Sequence, residues 1–191
     1  MRKADRRPIA GPSGRASRPA AFAVRQAPWR GRHGAILRFG NWTAPCVIGR
    51  DGMTSRKREG DGATPIGDLP VLFGYLRPDR NALFPGSRIY RPIRGDLGWC
   101  DAPAHPRYNR PVALPFAASH ERMSRDDRQY DLCLVLGWNY HPRTRNRGSA
   151  IFLHLRSEDG GGTAGCIALA PATMRRLLLC RPLGRVVRIT R

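Results

Sequence analysis

GSAIFLHLRSEDGGGTAGCIALA, residues 148–170, carries both the fold and the chemistry of this chain. Its two ends are apolar runs rich in Ile, Leu and Phe, and both read as strands. The segment between them is charged and glycine-rich, which suits a connection. His154 lies near the end of the first run and Cys166 opens the second. If the two strands pair antiparallel, the end of one lies beside the start of the next. The spacing therefore predicts that His154 and Cys166 are neighbours at one rim of a sheet.

Two readings of that pair stand side by side. Cys166 can be a small core residue and His154 a capped strand end, because buried cysteine behaves as a small hydrophobe. Alternatively, the two form one catalytic unit. A thiolate is a strong nucleophile, and an adjacent imidazole removes its proton or holds it as an ion pair. Gly165 fits the second reading. A glycine before the nucleophile lets a carbonyl substrate approach the backbone, and it leaves the N–H groups of residues 165 and 166 to bind a tetrahedral oxyanion. No Asp or Asn is suitably placed to orient the imidazole, so a backbone carbonyl is expected to do it.

Working outward, AILRF, PCVIG, YDLCLVLGWN and GRVVRIT also read as strands. The loop SRKREGDGATPIGDLPV runs into a further apolar strand. Residues 77–115 are punctuated by proline, with Tyr90, Trp99 and Tyr108 available to pack the irregular chain. PATMRRLLLC predicts a helix, with Pro171 at its first position and apolar residues at 174, 177 and 178. SHERMSRDDRQ predicts a second short helix capped by Ser119. The chain is thus expected to be mainly β with one or two short helices. There is no internal repeat and no glycine pattern of a nucleotide-binding loop.

The chain has 191 residues and a net charge of +20, carried almost entirely by arginine. Residues 1–33 read as a basic flexible tail, and 34–191 as one folded domain. The tail has no apolar run long enough for a secretory signal, and no stretch of the chain approaches a membrane helix. The charge predicts attraction to polyanions, so a basic polyanion-binding protein with a structural Cys166 is the competing class of function. A recognisable nucleic-acid motif is missing, and aromatic content is only 8%. The cysteines at 46, 100, 133, 166 and 180 include no C-x-x-C pair, which argues against zinc. Cys46, Cys133 and Cys180 read as small buried hydrophobes.

Three ordered stretches resemble the YkuD-domain L,D-transpeptidases, which remodel bacterial peptidoglycan. They are KREGDGATPIGDLPV, GWCDAPAHPRYNRPVALP and GSAIFLHLRSEDGGGTAGCIAL, spread over about residues 34 to 190. The TAGC form resembles a compact proteobacterial branch. The resemblance implies a β-rich sandwich or barrel-like fold with Cys166 as nucleophile, His154 as base and Gly165 at the oxyanion hole. It implies that the carbonyl of Leu155 orients the imidazole, and that no metal or cofactor takes part. Thr163, Tyr108 and Asn139 are the candidate substrate contacts. The implied partners are the stem peptides of peptidoglycan, and the implied location is the periplasm.

The implied reaction is attack on the carbonyl of a stem's third residue, usually meso-diaminopimelate, with loss of D-Ala and transfer to an amine. Three-to-three and one-to-three cross-links both remain open, as does hydrolysis by an L,D-carboxypeptidase. Two positions depart from better-known members. Ala164 stands where a histidine is usual, and Ala168 where an arginine often lies. Arg143, Arg145, Arg147 and Arg156 are the nearby cations that could replace that arginine. Glu59, Asp61, Thr64 and Pro65 are expected to fix a turn beside the active strands.

Overall fold

The computed structural model describes residues 22–80 and 87–191. Fourteen strands and one α-helix follow in chain order: β1 (Phe22–Gln26), β2 (Gly34–Phe39), β3 (Trp42–Val47), β4 (Met53–Thr54), β5 (Thr64–Pro65), β6 (Gly67–Leu76) and β7 (Arg91–Pro92). Then come β8 (Leu97–Cys100), β9 (Arg110–Ala113), β10 (His120–Arg122), β11 (Leu132–Leu136), β12 (Phe152–Leu155), β13 (Ile167–Leu169), α1 (Pro171–Leu179) and β14 (Val186–Thr190).

The large sheet runs β11-β12-β13-β3-β2-β1-β14-β6, with β7 on the outer edge of β6. β6 also pairs antiparallel with β11, which closes the sheet into a barrel and removes its exposed edges. β8, β9 and β10 form a separate three-stranded sheet. The mainly β architecture expected from the strand pattern, and the barrel-like form that the resemblance implies, are what the chain adopts.

Strand alternation divides the core in two. Val24, Leu37, Leu134, Leu153, Leu155, Ile167, Leu169 and Ile189 belong to the first apolar cluster, and Met174, Leu177 and Leu178 of α1 pack against it. Cys133, Val135 and Phe152 between them on the same strands, and Cys166 just before β13, belong to a second cluster with Trp99, Met123 and Tyr130. The second cluster thus fills the space between the barrel wall and the small sheet. Trp99 stacks edge-on against Phe152 at 5.0 Å between ring centres, joining the two layers.

Three expectations need correction. First, the folded unit begins before residue 34: β1 pairs with both β2 and β14. Phe22 and Val24 are fully buried there, so apolar burial recruits this segment despite its basic surroundings. Residues 1–21 lie outside the described residues.

Second, the stretch after Ser119 is not helical. His120–Arg122 pairs antiparallel with β8, and Asp127 holds the following turn by accepting from the Gln129 N–H at 3.1 Å and from Arg125. A strand partner and a carboxylate-capped turn outcompete a short helix with few local signals. α1 does form, with Pro171 in its first turn.

Third, β12 and β13 pair parallel, with Leu153 opposite Ile167 and His154 opposite Ala168. The glycine-rich connection is long enough to carry the chain back along the strand, as a parallel pairing requires. It is held in passing by β3's extension: Thr163 N–H donates to Ile48 O at 3.0 Å, and Arg50 N–H donates to Thr163 O at 2.8 Å.

Candidate active site

The parallel register places Cys166 and His154 on the outward side of the barrel wall. Both line one cavity of about 350 Å³, with Thr163, Tyr130 and Glu121 on the same wall. They are not at an exposed rim: Cys166 is 6% and His154 3% exposed. The cavity, open between barrel and small sheet, is what gives them access.

Cys166 is held at both ends. Its carbonyl accepts from Thr163 Oγ1 at 2.7 Å and from Thr64 Oγ1 at 3.2 Å. Thr64 also accepts from Gly49 N–H at 2.8 Å, so the short β4–β5 ladder locks the Cys166 backbone. The Cys166 thiol donates to Ala150 O at 3.1 Å and receives the Phe152 N–H at 3.3 Å. Ala150 itself is left-handed, with φ of 51°. That costly conformation is fixed by Asn109, whose Oδ1 accepts from Ala150 N–H at 3.1 Å.

His154 Nδ1 donates to Leu155 O at 2.7 Å. Because a carbonyl only accepts, the neutral ring carries its proton on Nδ1 and leaves Nε2 as the acceptor. The Tyr130 ring stands edge-on to the imidazole at 5.1 Å, and its hydroxyl donates to Glu121 at 2.6 Å. Burial lowers the imidazole to about 4, outweighing the Leu155 and Gln129 carbonyls, which favour its charged form. Burial likewise pushes the Cys166 thiol up to about 12, reinforced by the Glu121 charge and opposed by Phe152 N–H and Lys57. The resting pair is therefore thiol and neutral imidazole rather than thiolate and imidazolium.

Gly165 has φ of 133°, and a Cβ there would lie 2.9 Å from Ala63 O, so glycine is required. Its N–H is not free, however. It donates to Thr163 Oγ1 at 3.1 Å, because the Thr163 side chain folds over the turn. Of the two backbone donors expected for an oxyanion, the Cys166 N–H is the one not so engaged.

The other candidates fall into place as supports. Thr163 lines the cavity and braces the turn. Tyr108 is buried and donates its hydroxyl to Glu59. Asn139 spends its amide on its own loop, donating to Thr144 O at 2.9 Å and Gly148 O at 2.8 Å. Asp61 accepts from the backbone N–H of Arg58 and Ala63, fixing the 57–63 turn. Ala168 is 2% exposed in the sheet and offers no charge.

Among the cavity's charged and aromatic lining, sequence reasoning missed Lys57, Asp101, Glu121, Arg125 and Tyr130. Lys57 is 3% exposed and ion-paired with Asp61. Asp101 Oδ1 is buried without a hydrogen-bond partner. Desolvation raises the Glu121 carboxyl, helped by the charges of Asp101 and Glu59 and opposed by Tyr130. Among the described residues, no group of three His, Cys, Asp or Glu is arranged to hold a metal. No helix among them is long and apolar enough to cross a membrane.

A β-barrel wall presenting a cysteine and an oriented histidine to a polar cavity defines a site built for thiol chemistry. Residues 35–189 match the YkuD family, the L,D-transpeptidase catalytic domain, and the chain belongs to that family. No curated protein matches the chain. Among solved structures it is similar to Bdellovibrio bacteriovorus Bd1075, with 13% identity and a TM-score of 0.45 over 90% of this chain and 48% of that one. It is also similar to Mycobacterium tuberculosis L,D-transpeptidase 1, with 13% identity and a TM-score of 0.38 over 89% of this chain and 62% of that one. The chain spans less than two thirds of either protein's length.

Proposed function

We propose that the chain is a cysteine-dependent peptidoglycan L,D-transpeptidase acting in the periplasm, where its substrate lies. The observation that carries this reading is the shared cavity of Cys166 and His154, with His154 Nδ1 committed to Leu155 O. That commitment leaves Nε2 as the base. The thiol turns from Ala150 O toward Nε2 and gives up its proton as sulfur attacks the carbonyl of the donor's third residue. The Cys166 N–H faces the oxyanion that develops. When the C–N bond breaks, the imidazolium returns its proton to the departing D-Ala amine and a thioester remains.

An acceptor amine then attacks the thioester. His154 takes the amine's proton and returns it to the leaving sulfur, which restores the resting pair. Carboxylates of Glu59, Asp101 and Glu121 line the same cavity and favour a cationic or amine-bearing group there. The acceptor is the side-chain amine of diaminopimelate or the amino terminus of L-Ala, giving a three-to-three or a one-to-three link.

The test is mass spectrometry of disaccharide-tetrapeptide muropeptides incubated with wild-type protein and with Cys166→Ala. A Cys166-dependent dimer that has lost D-Ala is expected, and its fragmentation identifies the link. Tripeptide monomer alone would make the protein a carboxypeptidase. Unchanged muropeptides with folded wild-type protein would overturn the reading.

A further inference from the structure

Beside the catalytic cavity lies a second, larger cavity of about 660 Å³, walled by residues 55–59 and 145–147. Lys57 and Glu59 line both, so the two chambers share a wall. The second differs sharply in charge. Arg56, Arg58, Arg145 and Arg147 surround it, and Glu59 is its one lining acid. That acid is already engaged by the Tyr108 hydroxyl.

The groove is built rather than incidental. In the 56–58 segment the side chains alternate: Lys57 is buried while Arg56 and Arg58 are exposed. Lys57 is drawn inward by Asp61, whose carboxylate also receives Arg58 N–H at 2.7 Å. Gly148, with φ of 85°, leaves room for its stem, since a Cβ there would meet Lys57 Cγ and Cε at 2.9 Å. The opposite wall is locked by Trp138 Nε1 donating to Arg147 O at 2.6 Å and by the Asn139 amide. Glu59 N–H donates to Asn146 O at 3.1 Å and ties the walls together.

Some arginines elsewhere have acids, such as Arg77 with Asp79, Arg125 with Asp127 and Arg188 with Asp68; what sets the groove apart is that four cations converge on one cavity beside Cys166 and His154. Among the described residues, none of these four guanidinium groups has a salt bridge or hydrogen-bond partner. Four like charges on locked loops repel one another, and that repulsion is relieved by an anion in the groove. Planar guanidinium groups fit a carboxylate through two parallel hydrogen bonds.

We infer that this arginine groove is a carboxylate subsite, which binds a free carboxylate of the peptide stem while the stem's acyl carbonyl reaches Cys166. The assignment rests on the transpeptidase reading for its ligand. The groove sets which stems are used: one with a free carboxylate is favoured over the same stem amidated there.

The experiment has two arms. In the binding arm, Cys166→Ala protein is titrated with a free-carboxylate tetrapeptide stem, with that stem amidated, and with a single-stranded oligonucleotide. Arg145→Gln/Arg147→Gln in the same background is expected to weaken the free-carboxylate stem roughly tenfold and to leave the amidated stem unchanged. Equal affinity of both proteins for the free-carboxylate stem would overturn the subsite. So would arginine-dependent binding of the oligonucleotide alone, which would make the groove a phosphate site.

In the kinetic arm, intact-protein mass spectrometry follows acylation of Cys166. The double variant is expected to raise KM for the free-carboxylate donor about tenfold with kcat nearly unchanged. Equal losses on both donors would also overturn the subsite. Arginine-dependent binding by the Cys166→Ala protein in the first arm, with wild-type protein never acylated in the second, would sink the transpeptidase reading and leave the groove standing.

Discussion

The two faces of β12 and β13 are equally buried and do opposite work. On the inner face, Leu153 and Ile167 are fully buried among other aliphatic side chains of the barrel. Such burial is stabilising in proportion to the apolar area removed from water. On the outer face, His154 of β12 and Cys166 just before β13 are almost as deeply buried but polar. Burial there holds both in their neutral forms, with the imidazole near 4 and the thiol near 12. One face stabilises the fold, and the other holds a thiol and an oriented imidazole against a cavity.

The largest expected effect separates the faces by activity. Cys166→Ser should lower acyl-enzyme formation by roughly a thousandfold or more, since an alcohol is a far weaker nucleophile than a thiol beside the same base. Its denaturant midpoint should stay near that of wild type. A serine variant that turned over at close to wild-type rate would break the contrast.

Next, Leu153→Ala on the inner face should cost about 3 kcal/mol of stability, read from urea unfolding, because it opens a cavity in a packed barrel. A loss well under 1 kcal/mol would show that the inner face does not carry the stability assigned to it.

A comparable effect is expected from pH. The folded imidazole sits near 4 against 6.5 for an unperturbed one. Between those values the unfolded chain binds the extra proton, so stability falls as pH drops from about 6.5 toward 4, by up to about 3 kcal/mol. His154→Gln should flatten that slope, as thermal melts at stepped pH would record. An unchanged slope would assign the acid sensitivity to other groups.

The smallest effect belongs to the surface, where neither face is involved. Arg188 and Asp68 form a two-pronged pair across β14 and β6, with both side chains nearly half exposed. Asp68→Asn should cost about 0.5 kcal/mol, because solvent screens the pair. A much larger loss would mean that polar contacts on the barrel exterior rival its apolar interior.

Much of this was legible in the residues. Apolar runs marked β2, β3, β11 and β12, period-two alternation marked β14, and Pro171 marked the start of α1. The cysteine and histidine stood out because a glycine-rich connection joined two strand-like runs. Tyr90, Trp99 and Tyr108 were correctly expected to be buried in the irregular stretch. Local signals failed where a distant partner decided. His120–Arg122 became a strand because β8 offered it a ladder. Phe22–Gln26 became a strand because β2 and β14 offered it two.

The sequence by itself determined that this chain is mainly β and a member of its family, and it singled out Cys166 and His154 as the candidate pair. The fold class is written in its apolar runs, and the family and the pair in three ordered stretches. Only the tertiary structure decided that β12 and β13 run parallel, that Ala150 O receives the thiol and that Thr64 helps hold its backbone. It alone brought Lys57, Asp101, Glu121 and Tyr130 into the cavity. The physical reason is range: a side chain's burial leaves a period in its own strand, whereas the cavity is lined by segments as far apart in the chain as Lys57 and Cys166, whose meeting depends on how the barrel closes.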